Sequence, residues 1–426
     1  MTDQGSGPEA GSSFDVVIVG AGMVGGSLAA ALAKAGLTVA VVDREAPAAM
    51  LDAGFDGRTS AIAHGSMRIL AGAGVWKRLA VYAEPIWDIR VADGDSPLFL
   101  HYDHAEVGDG PLGYILENRH IRRALFEHLD EAAGVTLFAP AEVRAVANEG
   151  MAGAEVQLQD GRRLRAPVVV AADGRNSKLR RDAGITVSEW RYQQTAIVCV
   201  AAHERPHRGV AHERFLPSGP FAILPMRDAD ETGSEGETFG IHRSSIVWSE
   251  RSELAPRLLA LDPASFDAEL SRRFGNFYGA VRAVGPRWAY PLSVLNATRY
   301  TSQRLALVGD AAHAIHPIAG QGLNLGIRDV AALAEVLVDA RRLGMDIGTG
   351  SVLQRYERWR RFDALTLVTV TDLLNRLFSN DVAPLRWARD LGLGVVNRMP
   401  PMRRFLMRHA MGTVGELPRL ARGEPL

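Results

Sequence analysis

The chain has 426 residues, of which 47% are hydrophobic and 23% are charged, and its formal net charge is -1 at pH 7. This length predicts two or three domains, and the near-neutral charge argues against a nucleic-acid partner, which usually requires a basic face. Cys199 is the only cysteine, which excludes an intramolecular disulfide and a thiolate metal cluster. No apolar run is long enough to cross a bilayer, so we expect a cytoplasmic protein, either free of membranes or peripheral at the inner face of one.

The amino-terminal segment predicts a dinucleotide site. Residues 1–13 are small and polar without a secretory signal, so we expect a disordered tail. Residues 14–20 (FDVVIVG) are typical of a buried parallel strand. A G-x-G-x-x-G motif follows and leads into a helix over residues 27–35, with glycines at Gly20, Gly22 and Gly25. A second strand, residues 38–42, ends at Asp43, which can accept hydrogen bonds from an adenosine ribose while the glycines admit a pyrophosphate. The alternative is a tight turn with a surface aspartate.

The next segments mix strand and helix patterns. Arg58 is expected in a loop just before an amphipathic helix, where it either reaches a phosphate or lies on the solvated surface. Residues 86–111 alternate as antiparallel strands do, and a helical stripe follows Glu117. Residues 167–172 are typical of a buried strand that ends at Asp173 and Gly174, either a cofactor loop or a plain turn with a helix cap.

Residues 186–289 alternate and turn often, which predicts an antiparallel sheet broken by a helix over residues 263–274. One face of this sheet would line a pocket rather than a solid core. The segment also contains several histidines, which lack a metal-binding motif and are interpreted as surface or pocket residues: His203, His207, His212 and His242. We therefore expect no metal.

The stretch from Arg304 to Val330 predicts an anion site. Its strand, residues 305–308, stops at Gly309 and Asp310, and a loop then leads into a helix through Gly320, Gln321 and Gly322. Such a helix start exposes unpaired N–H groups and the positive end of the helix dipole.

Residues 346–426 are predicted to be mainly helical, with interruptions at Pro384 and at Pro400 and Pro401. From Arg398 onward six arginines stand against two glutamates, with methionines between them. This pattern is compatible with docking on anionic lipid, and equally with capping a dimer or the core.

Three strands thus end in loops suited to phosphates or sugars, and a doubly wound sheet brings such strand ends to one crevice. One extended ligand would touch all three loops. FAD fits better than NAD, because reduced flavin carries negative charge that a helix amino terminus stabilises.

Four stretches carry a family resemblance: GAGMVGGSLAAALAKAG, ENRHIRRAL, VVAADGRNSKLR and GDAAHAIHPIAGQGLNLGIRDVAAL. They resemble the FAD-dependent aromatic-ring hydroxylases of ubiquinone biosynthesis, class A flavoprotein monooxygenases with the p-hydroxybenzoate hydroxylase fold. The resemblance implies an α/β fold, α+β overall, with a Rossmann-like FAD-binding domain, an inserted antiparallel substrate sheet and a helical carboxyl-terminal region. The expected FAD-binding domain comprises residues 14–85, 112–185 and 290–345, and the substrate sheet residues 86–111 and 186–289.

The implied reaction is hydroxylation of a polyprenylated phenol: NAD(P)H reduces FAD, oxygen adds at flavin C4a, and the hydroperoxide hydroxylates the ring. The residues expected to bind the cofactor are Gly20, Gly22, Gly25, Asp43, Arg44, Arg58, Arg119, Asp173, Gly174, Gly309, Asp310, Pro317, Gly320, Gln321, Gly322, Leu323 and Asn324. Candidates for the substrate pocket are Phe221, Leu224, Pro225 and Tyr290. Pro317 and His316 are the candidates nearest the chemistry, with His316 either a proton relay or a structural cap.

The sequence is compatible with three functions: a ring hydroxylase, a flavoprotein of the same fold acting on another aromatic or isoprenoid substrate, or a non-catalytic FAD-binding subunit of a biosynthetic complex. A homodimer and a quinone-biosynthesis complex are both compatible with the sequence as well.

Overall fold

The computed structural model describes residues 12–52, 54, 56–94, 96, 98–108, 110–229, 241–316, 320–378, 392 and 394–426. The helices are α1 (Met23–Lys34), α2 (Pro47–Leu51), α3 (His64–Gly72), α4 (Trp76–Leu79), α5 (Asn118–Glu131), α6 (Lys178–Asp182), α7 (Ala255–Leu259), α8 (Pro263–Phe274), α9 (Gln321–Arg342), α10 (Gly350–Phe378), α11 (Pro400–Ala410) and α12 (Arg419–Arg422).

The strands are β1 (Ser12–Ser13), β2 (Val16–Val19), β3 (Val39–Val42), β4 (Thr59–Ala63), β5 (Glu84–Ile86), β6 (Asp88–Asp93), β7 (Phe99–Asp103), β8 (Gly113–Glu117), β9 (Val135–Phe138), β10 (Val143–Asn148), β11 (Ala154–Leu158), β12 (Arg163–Ala166), β13 (Val168–Ala171), β14 (Val187–His203), β15 (Val210–Leu216), β16 (Gly219–Met226), β17 (His242–Arg251), β18 (Val281–Ala297), β19 (Thr301–Ser302), β20 (Leu305–Leu307) and β21 (His313–Ala314).

A six-stranded sheet in the order β19-β20-β13-β2-β3-β9 forms the centre of the dinucleotide-type fold. Strands β20, β13, β2, β3 and β9 run parallel, and every residue of β2, β3 and β13 is buried. Short runs of valine suit this position because both faces of each strand lie against helices or other strands. The predicted Rossmann-like architecture is confirmed.

Three local predictions were wrong in this region. Helix α1 begins at Met23, inside the glycine motif, and Gly25 in its first turn packs against Gly20 and Ala172, the residues that follow β2 and β13. Arg58 is followed by strand β4 and only then by helix α3, because residues 59–63 pair with β8. Ser12 and Ser13, expected in the tail, pair with β12, whereas residues 1–11 lie outside the described part of the chain.

The second large sheet has eight strands in the order β21-β18-β14-β17-β16-β15-β6-β7. Its pairs are antiparallel except for β15 and β6, so the expectation of purely antiparallel strands over residues 86–111 was wrong at that junction. Helices α7 and α8 cover one face and form a separate apolar core with it. Strand β18 crosses the predicted boundary at residue 290 without a break, and the domain division stays a prediction.

The carboxyl-terminal helices pack across both sheets. Asp372 of α10 accepts hydrogen bonds from Tyr192 Oη (2.6 Å) and Trp190 Nε1 (3.2 Å) of β14. Helix α11 begins at Pro400, a position that tolerates proline because the first helical N–H groups have no partner within the helix. The predicted interruption at Pro384 lies outside the described residues. Within the described part of the chain, no helix has the length and apolar character that a membrane span requires.

Candidate cofactor and substrate site

A cavity of about 660 Å³ lies between the carboxyl ends of the parallel strands and the inner face of the eight-stranded sheet. Its cofactor end is lined by loop and helix-start residues such as Gly22, Gly174, Asp310, Gly320 and Gly322. Its apolar chamber is lined by sheet residues such as Val198, Ala222, Leu224 and Val247. Phe378 at the end of α10 and Met407 and Met411 in and after α11 also line it.

The glycine motif is needed for close packing on one side and for open space on the other. A Cβ at Gly20, where φ is +111°, would lie 2.2 Å from the carbonyl oxygen of Ala172, and a Cβ at Gly25 would lie 1.9 Å from that of Gly20. Side chains there would push β2, β13 and α1 apart. Gly22 lines the cavity and has nothing within 4 Å of its Cβ position. The motif therefore leaves room at the start of α1 for a ligand.

Helix α9 begins at the same cavity. Gly320 has a left-handed conformation (φ +61°) and lies against Ala61, so a Cβ would approach the Ala61 methyl to 2.9 Å. Within the described part of the chain, neither α1 nor α9 has a side-chain cap or an acidic residue in its first turn. Two helices thus point uncapped N–H groups into one cavity, which suits a ligand with anionic groups at both positions.

Asp310 is the acidic group at this end of the cavity. Its side chain is open to the cavity although protein surrounds the recess, and burial raises the pKa of its carboxyl, an effect that His313, Arg58 and Arg175 partly offset. A carboxylate in that position can accept hydrogen bonds from sugar or ribityl hydroxyls.

The comparisons with known proteins agree with this geometry. A family model described as an FAD binding domain matches residues 13–369. The chain is 53% identical over 427 residues to the ubiquinone hydroxylase UbiL of Rhodospirillum rubrum, an alignment that covers 99% of this chain and 96% of that protein. This chain belongs to the FAD-dependent ubiquinone hydroxylase family. It is also 36% identical over 400 residues to the 3-demethoxyubiquinol 3-hydroxylase of Escherichia coli, covering 93% of this chain and 98% of that one.

Solved structures show the same fold. PqsL, a probable FAD-dependent monooxygenase of Pseudomonas aeruginosa, matches with a TM-score of 0.72 and 25% identity over 89% of this chain and 100% of that chain. The p-nitrophenol 4-monooxygenase PnpA of Pseudomonas putida matches with a TM-score of 0.76 over 95% of this chain and 100% of that chain, and at 20% identity it shows the fold alone. The predicted family resemblance and fold class are confirmed.

The cavity fits the FAD of this hydroxylase family. The open Gly22 and the uncapped start of α1 would hold the pyrophosphate, and Asp310 the ribityl chain. The uncapped start of α9, with Gly322 and Leu323 in the cavity wall, would lie at the flavin ring. Asp43, predicted to bind the ribose, accepts hydrogen bonds from Ala21 N (2.6 Å) and Glu45 N (2.9 Å) and so ties the strand end to the glycine loop.

Several predicted cofactor residues have a structural task as well. Asp173 accepts hydrogen bonds from the N–H groups of Lys178 (2.8 Å) and Leu179 (3.3 Å), as the helix-cap alternative predicted, while Gly174 lines the cavity. Asn324 is buried and bonds Ala61 O and Ala63 N at 2.8 Å each, so it fastens α9 to β4. Gln321 lines the cavity and reaches Ala410 O at the end of α11.

Arg58 belongs to a charged cluster that the sequence reasoning did not find. Asp56 accepts hydrogen bonds from Arg58 (2.9 Å), Asn118 (2.9 Å) and Arg122 (3.0 Å). Burial alone would raise the pKa of Asp56, but Arg58 above all, together with Asn118, holds that pKa well below its ordinary value. The Arg58 guanidinium lies 4.8 Å from the ring centroid of Tyr290 at the cavity wall. The sequence feature that could have revealed this cluster is Asp56, the acidic residue two positions before Arg58.

Two predicted cofactor residues lie elsewhere. Arg119 does not line the main cavity: it pairs with Glu117 at 2.7 Å and borders a separate polar pocket, whereas its neighbour Asn118 faces the main cavity. Successive residues of an α-helix point about 100° apart, so Asn118 and Arg119 face different sides of α5. Arg44 is exposed and pairs with Glu45 at 3.5 Å, away from the main cavity lining. The positions of these two side chains do not support a contact with FAD.

The substrate-pocket candidates divide by strand alternation. Leu224 and Tyr290 line the cavity, as predicted. Phe221 is fully buried in the core between the sheet and α7 and α8, so its assignment to the pocket was wrong. Pro225 is not among the cavity-lining residues either. Odd and even positions of a strand face opposite sides of a sheet, and the sequence did not show which side was the chamber.

His316 is buried at 0% exposure and packs edge-on against Tyr192, with ring centroids 5.1 Å apart. Burial lowers the pKa of His316 to about 4, and the residue does not line the cavity, so its position does not support a proton relay. Pro317 lies outside the described residues. Four histidines were predicted to lie at the surface or in a pocket, and His212 does line the cavity. His203 and His207 are instead buried and hydrogen-bonded, His203 to Ser244 at 3.0 Å.

Behind the Gly309 turn lies a buried ionic network. Asp329 of α9, at 0% exposure, accepts hydrogen bonds from His313 Nε2 (2.6 Å), Arg360 Nε (2.8 Å) and Gly309 N (3.0 Å). Burial alone would raise the pKa of Asp329, but His313 and Arg360 hold it below its ordinary value. The network fixes the loop that carries Asp310. Its members come from three separate segments, and nothing in the sequence connected them.

Proposed function

We propose that this chain is an FAD-dependent monooxygenase that hydroxylates the aromatic ring of a prenylated phenol in ubiquinone biosynthesis. The observation that carries the proposal is one continuous cavity, with a cofactor end at the starts of α1 and α9 and an apolar chamber against the eight-stranded sheet. The UbiL protein, 53% identical over nearly the full length, bears the name ubiquinone hydroxylase. When bound, FAD would supply the electrons and the activated oxygen for ring hydroxylation.

The residues of the chain would bind, orient and exclude water. The apolar lining, including Val198, Leu224 and Val247, removes water from the reacting ring and accepts the prenyl chain. The dipole of α9 would favour the negative charge of the reduced cofactor by about 0.3–2 kcal/mol. Asp310 would fix the cofactor lengthwise, so that the ring faces the chamber.

NAD(P)H is proposed as a transient reductant. This proposal rests on the family resemblance, which implies such an electron donor. The main cavity itself is proposed to hold FAD. No residue has to be a nucleophile, because the cofactor carries the redox chemistry and molecular oxygen is the co-substrate.

The test uses purified holoprotein. We expect NAD(P)H oxidation to be stimulated by a prenylated phenol, with one hydroxylated product per turnover in mass spectrometry. A product only from another aromatic or isoprenoid compound would move the chain to a different substrate within the same fold. Firm FAD binding without turnover under any electron supply would favour a non-catalytic subunit.

A peripheral contact with the inner face of a membrane is also proposed, through helix α11. Its inner side places Met407 in the chamber wall, whereas Met402 (45% exposed) and Phe405 (54% exposed) point outward beside arginines. The same helix would thus touch lipid and border the substrate chamber. Liposome co-sedimentation should fall in a Met402→Gln/Phe405→Gln variant and stay unchanged in the control Met151→Gln, since Met151 is a fully exposed methionine on another part of the surface. Equal partitioning of all three proteins would reject the lipid contact.

A homodimer is proposed from the outer face of α10, where Phe362 (78% exposed) and Leu373 (63% exposed) are large apolar residues in solvent. Sedimentation velocity should show a dimer that Phe362→Glu weakens. A monomer at all concentrations would leave this face for a partner in a quinone-biosynthesis complex.

A further inference from the structure

The carboxyl group of Glu213 lies in the wall of the apolar chamber. The register of the eight-stranded sheet aligns six cavity-lining residues in one row across its strands: Leu100, Val91, Glu213, Ala222, Val247 and Val198. Adjacent strands lie about 4.8 Å apart, so apolar side chains flank Glu213 on both sides. Ala211 and Phe215, two residues away on the same face of β15, are apolar and line the cavity as well.

Glu213 has no structural task that would explain it. Among the described residues, its side chain has no hydrogen-bond or ion-pair partner, and its carboxyl is open toward the cavity. Arg90 and Arg214 of the neighbouring strand positions lie on the opposite face. His212 borders the cavity, and its ring nitrogen Nε2 is engaged with Tyr278 Oη at 3.0 Å. Asp93, one row away on the cavity face, is buried and has a partner of its own.

Among the described residues, the other ionisable groups that line the cavity are Arg58, Arg175 and Asp310 at the cofactor end, Tyr102 and Tyr290 in the walls, and His212 next to Glu213. Burial raises the pKa of the Glu213 carboxyl to about 8, and none of these groups offsets that rise. A prenylated ring would displace the remaining water and favour the neutral form further. A neutral carboxyl presents one donor and one carbonyl acceptor in an otherwise apolar wall.

We propose that neutral Glu213 binds the ring hydroxyl of the substrate, its carbonyl oxygen accepting the hydrogen bond from the phenol. This inference rests on the proposed function and names the residue that tells a phenol from an apolar ring. A hydrophobic wall alone barely separates two ligands that differ by a hydroxyl, whereas a single polar partner in that wall does. The same bond sets which side of the ring faces the cofactor end.

The test measures binding rather than turnover, by equilibrium dialysis of the oxidised holoenzyme with an ortho-prenylated phenol and with prenylbenzene. At pH 7 we expect the phenol to bind roughly three- to tenfold more tightly than prenylbenzene in the wild type, the range that one hydrogen bond supplies. Glu213→Gln, which keeps a carbonyl acceptor and a neutral side chain, should preserve this ratio. Glu213→Leu should bring it close to one, and the exposed Glu253→Gln serves as the matched control.

A pH series gives a readout that a purely structural role would not move. Prenylbenzene would cover the Glu213 carboxyl without a polar partner, so it should bind only when that carboxyl is neutral. Its affinity for the wild type should therefore fall about tenfold per pH unit above the pKa of Glu213, and should not change with pH in Glu213→Gln. An unchanged phenol-to-prenylbenzene ratio in Glu213→Leu, or the same pH dependence in Glu213→Gln, would overturn the inference while leaving the proposed function intact. If neither the wild type nor any variant binds either compound, both the inference and the proposed function are overturned.

Discussion

The buried Asp329 network offers the sharpest test of how the loop carrying Asp310 is held. Asp329→Asn keeps the size and one acceptor oxygen but removes the negative charge beside Arg360, which is only 4% exposed. Breaking a buried ion pair on one side costs about 3–5 kcal/mol. Arg360 retains its ion pair with Asp363, and Asp363 is partly exposed, so we expect the lower end of that range, about 3 kcal/mol. That loss is a large fraction of an ordinary folding free energy of about 5–15 kcal/mol.

The assay is chemical denaturation followed by circular dichroism, with flavin fluorescence reporting FAD release in parallel. Arg360→Met should lower the free energy of unfolding by a similar amount, because it leaves the buried Asp329 carboxylate without its arginine. The double variant Asp329→Asn/Arg360→Met should lose about 1–3 kcal/mol less than the sum of the two single losses. Additive effects within about 0.5 kcal/mol would refute the coupling. Because the folded-state pKa of Asp329 is lowered, its contribution is present above the ordinary value of 3.8 and is lost as pH falls through the folded-state pKa. The wild type should therefore lose its advantage over Asp329→Asn in acid.

Four further predictions follow from the site. Gly25→Ala should fail to give folded protein, since its Cβ would lie 1.9 Å from a carbonyl oxygen, whereas Gly22→Ala should fold and bind FAD more weakly; equal expression of the two variants, measured by soluble yield, would contradict this. Asp310→Ala should fold yet retain less flavin on purification, and undiminished FAD content would reject the ribityl contact. Phe221→Ala should lower stability by about 3–5 kcal/mol without affecting the binding of a prenylated phenol, whereas Leu224→Ala should weaken that binding; the reverse would restore Phe221 to the chamber. Glu213→Gln should be more stable than the wild type at pH 8 and equal to it at pH 4, because a folded-state carboxyl pKa raised from 4.5 to about 8 penalises the wild type once pH exceeds 4.5; identical melting curves at both pH values would contradict the raised pKa.

The sequence was most informative where the pattern is local. The glycines at 20, 22 and 25 and the helix start at 320–322 were recognisable because strand–glycine–helix patterns involve neighbouring residues, and the structure places Gly22, Gly320 and Gly322 in the cavity wall. Asp310 was recognisable because an acidic residue directly after a buried strand is also a local pattern. Family membership followed from these motifs and was confirmed by the comparisons.

The tertiary structure decided which way each side chain faces. Arg119 and Asn118 are neighbours in the chain, yet only Asn118 faces the cavity, and Phe221 and Ala222 divide between a solid core and the chamber. Asp56 and Asp329 gained their roles from partners 62 and 31 residues away. Glu213 became a candidate only when the strand register placed it in an apolar row. A motif can be read along the chain, whereas burial, register and ion pairing depend on residues that only the folded protein brings together.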